Sequence, residues 1–86
     1  MKEHSKETKR KSSFLSTLNA PCIELSGNRE LLIEGSKGVL SYSADSVRVN
    51  TGGMIIIVEG RELDLRCISD SALIIDGFIM RLSFTV

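Results

Sequence analysis

Tryptophan is absent from this sequence of 86 residues, and one tyrosine and three phenylalanines supply all of its aromatic rings. A platform on which single-stranded nucleic acid stacks its bases would have to be built almost without rings, so nucleic-acid binding is not expected. Histidine occurs once, as His4, among charged residues near the start. A Ser-His-Asp or Cys-His relay needs an imidazole held against its nucleophile, and here the terminal segment would have to fold into a site to provide one. Cysteine occurs twice, as Cys22 and Cys67, without a second pair. That is two ligands short of a structural zinc site, so neither a metal nor a cofactor is expected. No apolar run approaches the roughly 18 residues of a membrane helix, and the basic start is not followed by the apolar region of a signal peptide. The expectation is a cytoplasmic protein with both thiols reduced, Cys67 lying in the core.

What is present fits one small folded unit. Hydrophobic residues make up 42% of the chain and charged residues 26%, the balance of a soluble globular domain and well above the disordered range. The length allows a single core and leaves a thin stability margin. The formal net charge of zero hides a split. Lys2, Lys6, Lys9, Arg10 and Lys11 against Glu3 and Glu7 put residues 1–18 at +3, which leaves the remainder at −3. Residues 1–21 therefore read as a flexible basic tail, with Phe14, Leu15 and Leu18 spaced for a short amphipathic helix that Asn19-Ala20-Pro21 ends. Such a tail is suited to peripheral contact with an anionic membrane surface.

From Cys22 onward the period is two. Val47 and Val49 alternate with Ser46, Arg48 and Asn50, and Leu63, Leu65 and Cys67 alternate with Glu62, Asp64 and Arg66, as in strands with one wet face. Met54-Ile55-Ile56-Ile57-Val58 is apolar throughout and reads as a central strand covered on both sides or lying against a partner. Turn signals arrive every several residues, at Ser26-Gly27-Asn28, Gly35-Ser36-Lys37-Gly38, Ala44-Asp45, Thr51-Gly52-Gly53, Glu59-Gly60, Ser69-Asp70-Ser71 and Asp76-Gly77. They divide residues 22–86 into about eight short strands: 22–26, 29–34, 38–43, 46–51, 53–58, 61–68, 72–76 and 78–84. Short connections favour antiparallel neighbours, so the predicted fold is an all-β antiparallel meander curled into a small sandwich or open barrel. The core is expected to include Val47, Val49, Leu63, Leu65, Cys67, Leu82 and Phe84.

Two stretches repeat one another. Leu32-Ile33-Glu34-Gly35 matches Ile74-Ile75-Asp76-Gly77, and Leu40-Ser41-Tyr42 matches Leu82-Ser83-Phe84. With Glu59-Gly60 they give three acidic residues before glycines, which either form hairpin bends or supply an acid and a base, as in glycoside hydrolysis. Acidic residues before glycine are common bend formers, and the turn reading of Glu34, Glu59 and Asp76 is preferred. Gly35-Ser36-Lys37-Gly38 lacks the spacing of a phosphate-binding loop and the helix that would follow one. Arg48, Arg61, Arg66 and Arg81 stand among acids and read as solvated rather than as a nucleic-acid track.

Taken together, Arg29-Glu30-Leu31-Leu32-Ile33-Glu34-Gly35, Lys37-Gly38-Val39-Leu40-Ser41-Tyr42-Ser43, Val47-Arg48-Val49-Asn50-Thr51, Gly60-Arg61-Glu62-Leu63-Asp64-Leu65-Arg66-Cys67 and Leu73-Ile74-Ile75-Asp76-Gly77-Phe78-Ile79 resemble the YabP/YqfC family of sporulation proteins. The resemblance covers about residues 23–84 and carries no catalytic signature to transfer. It implies an endospore-forming bacterium, expression in the mother cell, and a non-enzymatic role in building the spore envelope beside a protein partner, a membrane-embedded sporulation protein among the candidates. The chain would then work at the cytoplasmic side of the forespore outer membrane. Exposed strand edges also make a homo-oligomer an expectation. Two alternatives stand beside this one: a nucleic-acid or lipid-surface binder working through the basic tail, and a small enzyme using the carboxylates at the bends.

Overall fold

The computed structural model describes residues 21–86, so the tail and short helix expected before Pro21 lie outside the described residues. Six strands follow: β1 (Cys22–Ser26), β2 (Glu30–Glu34), β3 (Gly38–Tyr42), β4 (Ser46–Asn50), β5 (Ile55–Cys67) and β6 (Ala72–Thr85). They form one antiparallel sheet in the order β1-β2-β6-β5-β4-β3, with β1 and β3 at its edges. The all-β antiparallel class is as expected from the alternation. β3 to β6 run as a meander, and the β1–β2 hairpin departs from it by joining the far side of β6.

Six strands replace the eight expected because two of the predicted bends are not chain reversals. Glu59-Gly60 lies inside β5 and Asp76-Gly77 inside β6. At each the paired strands continue through a shift of register, between Glu59 and Gly60 and between Arg61 and Asp64. Met80 is the extra residue on β6 at the first bulge, and β5 carries the extra residue at the second, where Glu62 has φ 55°. Bulges bend and twist a strand pair without ending it. Glu34-Gly35 leads out of β2 into the β2–β3 loop and is not a hairpin bend either.

The two bulges divide the sheet into halves. One half holds β1, β2, the first part of β6 and the last part of β5; the other holds β3, β4, the first part of β5 and the last part of β6. Between β2 and β3 lie four inter-strand steps, about 19 Å in a flat sheet. The four residue steps from Glu34 to Gly38 span at most about 14 Å, so the sheet has to fold over for the loop to close. The loop holds the far ends together: the Gly35 and Ser36 amides donate to the Ser71 carbonyl at 2.8 and 2.9 Å, and the Lys37 amide to the Asn50 carbonyl at 2.7 Å.

Folding over encloses one core drawn from both halves. Leu31, Ile33, Leu73 and Ile75 come from the first, Val47, Val49, Ile56, Val58 and Ile79 from the second, and Leu63 from the corner between them. Leu65 and Leu82 pack against this cluster only partly buried. Cys67 and Phe84, both expected in the core, are exposed. Each pairs with a buried residue, Cys67 with Leu73 and Phe84 with Ile56, so each lies on the core side of its strand. Among the described residues, 64–67 of β5 and 79–85 of β6 have a neighbouring strand on one side only, and no described strand closes over that margin.

Candidate interaction surface

The three carboxylates that precede glycines do not converge. Glu59 faces Arg81 at 3.7 Å, Asp76 accepts from Arg66 at 2.9 Å, and Glu34 is exposed at the end of β2. Glu30 joins the second pair, 3.5 Å from Arg66. These are surface ion pairs with half-exposed members, a class whose contribution to stability is about 0–1 kcal/mol. Among the described residues no group of three His, Cys, Asp or Glu side chains could hold a metal ion, and Cys22 and Cys67 are free and exposed.

The glycine-bounded Ser36-Lys37 turn has its donors committed. The amides of residues 35–37 are used within the fold, and the buried Ser36 hydroxyl accepts from the Gly38 amide at 3.1 Å. Such a loop has no ring of open N–H groups with which to cradle a phosphate. The arginines likewise form no continuous track. Arg66 and Arg81 are paired with acids, Arg61 approaches Phe78, and Arg48 stands on the exposed side of β4.

Two of the hairpin turns brace the bulged corner. The Gly60 amide donates to Asp45 and the Leu63 amide to Ala44, while the Gly77 amide donates to Arg29 and the Ile79 amide to Asn28. Thus the β3–β4 turn holds β5 and the β1–β2 turn holds β6, an approximate twofold relation between the halves. The outer side of this corner carries Phe78, with the Arg29 guanidinium 4.3 Å and the Arg61 guanidinium 6.0 Å from its ring centre. Arg29 also donates to the Gly77 carbonyl at 3.1 Å. Beside the ring is an open cleft of about 300 Å³ lined by Asp45, Arg61, Glu62 and Phe78. A second, of about 600 Å³, is lined by Asp45, Ser46, Glu59, Gly60, Met80 and Arg81. Sequence reasoning assigns no role to Arg29 or Phe78, because their meeting depends on a contact between the first hairpin and a strand 48 positions away.

The strand edges are the more distinctive feature. Every residue of β3 is exposed, and four of the five in β1 are. Leu25, Val39, Tyr42 and Phe84 all pair with buried residues, Leu31, Val49, Val47 and Ile56, and so line the core side of the sheet, yet Leu25, Tyr42 and Phe84 remain 46%, 49% and 50% exposed. A single exposed apolar residue is ordinary. A core-side residue left open on every free edge is a different matter, since among the described residues each lacks a neighbouring strand. By contrast the run Met54–Val58 is well covered: Ile56 and Val58 are fully buried, Ile55 and Ile57 are partly so in a strand flanked by β4 and β6, and Met54 just before it is partly buried too.

The outer faces differ in charge. Pairing and exposure place Glu24, Glu30, Glu34, Asp64 and Asp76 on the outside of the first half, with Arg66 as the cation among them. The outside of the second half has Arg48, Arg81 and Glu59 around Ile55 and Ile57. Among the described residues no helix is long and apolar enough to cross a membrane.

A family model described as the YabP family matches residues 19–86, which include every strand of the sheet. No curated protein matches the chain. No solved structure matches it.

Proposed function

The chain belongs to the YabP family, which associates it with sporulation, and from that premise we propose that it is a non-enzymatic assembly module for the spore envelope. It acts in the mother cell, at the cytoplasmic side of the forespore outer membrane, and docks by its free strand edges on a protein partner, a membrane-embedded sporulation protein being the favoured kind. The observation that carries this reading is the set of core-side residues, Leu25, Val39, Tyr42 and Phe84, left open at unpaired edges. An added strand satisfies the free backbone groups of an edge and covers such residues together. The dispersed carboxylates and the committed donors of the Ser36-Lys37 loop offer no comparable support for chemistry.

Tagged chains carrying Leu25→Lys on β1 or Leu40→Lys on β3, produced in sporulating cells, test the reading. Both positions are exposed, so both variants should melt like the parent. At least one should fail to retrieve the partner that the parent retrieves, and should leave the spore envelope incomplete. Two folded variants that retrieve the same proteins and sporulate normally would overturn the proposal.

A further inference from the structure

Resting on the reading of the chain as an assembly module, we propose that the open edge of β1 takes an extended partner segment in which apolar residues alternate with lysine or arginine. Three observations specify this occupant. Among the described residues β1 pairs with β2 alone, so its other side presents unpaired backbone donors and acceptors. On the core side, Leu25 is 46% exposed although its pairing neighbour Leu31 is fully buried, which marks the place of an absent apolar neighbour. On the outer side, a strand added next to Glu24 would extend a face that already holds Glu30, Glu34, Asp64 and Asp76 against Arg66. Cross-strand pairs favour opposite charge and penalise like charge, so this edge selects basic residues on alternate positions.

The same rule disfavours a second copy of the chain on this edge. Antiparallel pairing of two β1 strands about their midpoint sets Glu24 opposite its own counterpart and joins two acidic faces. The β3 edge makes a weaker selector: Gly38–Tyr42 contains no charge, and the register shift at Leu40 interrupts it. Strand addition supplies affinity through the main chain, and the alternating side chains supply specificity.

The test uses the full-length chain and a blocked eight-residue peptide alternating Val and Lys, with two controls: the Val-Glu counterpart, and the Val-Lys peptide N-methylated at alternate residues. Fluorescence anisotropy measures binding and amide hydrogen exchange locates it. The Val-Lys peptide should bind and slow exchange in Cys22–Ser26, and Glu24→Lys should weaken binding roughly fivefold without changing the melting temperature. Neither control should bind. Equal binding of the methylated peptide would overturn the proposal in favour of contact by charge alone, and protection of Gly38–Tyr42 instead would move the site to β3. Protection of β1 before any peptide is added would also overturn it. If that protection rises with protein concentration the occupant is a second copy, and if it disappears when residues 1–18 are removed the occupant is the chain's own basic segment. Failure of the peptide while Leu25→Lys still abolishes partner capture would refute the basic-strand specificity and leave the assembly role standing.

Discussion

Gly60 and Gly77 hold the two long strands together where they cross the corner, each for a different steric reason. A methyl group on Gly60 would overlap the Phe78 carbonyl oxygen, at an otherwise ordinary backbone conformation. At Gly77 the φ of +137° already disfavours a side chain, and a methyl group would come within 2.5 Å of the Glu62 carbonyl oxygen. In both cases the obstacle is backbone, which cannot move aside as a flexible side chain can. Gly60→Ala and Gly77→Ala are each expected to destabilise the domain by about 3 kcal/mol, combining overpacking with backbone strain. Gly53, with ordinary φ and open space around its Cβ position, is the control: Gly53→Ala should change stability by about 0.5 kcal/mol or less in urea unfolding. Glu62 is the reverse case, a side chain at φ 55° where glycine is favoured. Glu62→Gly should leave the midpoint unchanged or raise stability by about 1 kcal/mol. At this scale the sequence is a partial guide. Alternation correctly marks Val47, Val49 and Leu63 as buried, but it also marks Cys67 and Phe84, since alternation reports which side of a strand a residue occupies and not whether a neighbouring strand covers it.

The strand elements were nearly all legible in their extents, and the difference lies in what separates them. Period-two runs bounded by glycine locate β1 to β4 within a residue or so, and the four later runs coincide with the halves of β5 and β6. An acidic residue before glycine is compatible with a tight reversal and equally with a bulge, and the choice between them is made by distant partners. Here the carbonyls of Ala44 and Asp45, and of Asn28 and Arg29, receive the amides that a hairpin at each corner would have used locally. The repeated words at 32–35 and 74–77 therefore mark positions that are not structurally equivalent. One ends a strand and the other bends one, while Gly60 and Gly77 are the pair related by the approximate twofold. The carboxylates beside these glycines can be tested as a group. Glu34→Asn, Glu59→Asn and Asp76→Asn combined remove exposed ion pairs worth about 1 kcal/mol or less each, so the triple variant should fold and support sporulation. Normal folding with failed sporulation would show that the carboxylates serve a site and not merely the sheet.

Over the whole molecule, one sheet folds across two bulges, and the short β2–β3 loop fastens its far ends. This arrangement was the least legible feature, because it follows from a hydrogen-bonded pairing between β2 and the first part of β6 that no local pattern announces. The acidic side chains of the first half were visible as residues, but their sharing of one outer face required the same long-range register. Among the described residues the core is drawn from β2, β4, β5 and β6, and its partly buried neighbours are Ile23 of β1, Met54, Leu65 and Leu82. The family match begins at residue 19 and takes in every strand that contributes to that cluster. If the described residues are sufficient for folding, removing residues 1–18 should change the thermal midpoint by only about 2 °C or less, since an unneeded terminal segment alters stability by a few tenths of a kcal/mol. The same deletion removes Lys2, Lys6, Lys9, Arg10 and Lys11 with Glu3 and Glu7, taking the chain from net zero to −3. Each basic residue near an anionic bilayer contributes about 1 kcal/mol, so the deletion should reduce recruitment of a fluorescent fusion to the forespore envelope while leaving circular dichroism unchanged. Loss of cooperative unfolding would show that the basic segment completes the fold. Normal folding with normal localisation would assign recruitment to the β domain, and to its open edges first.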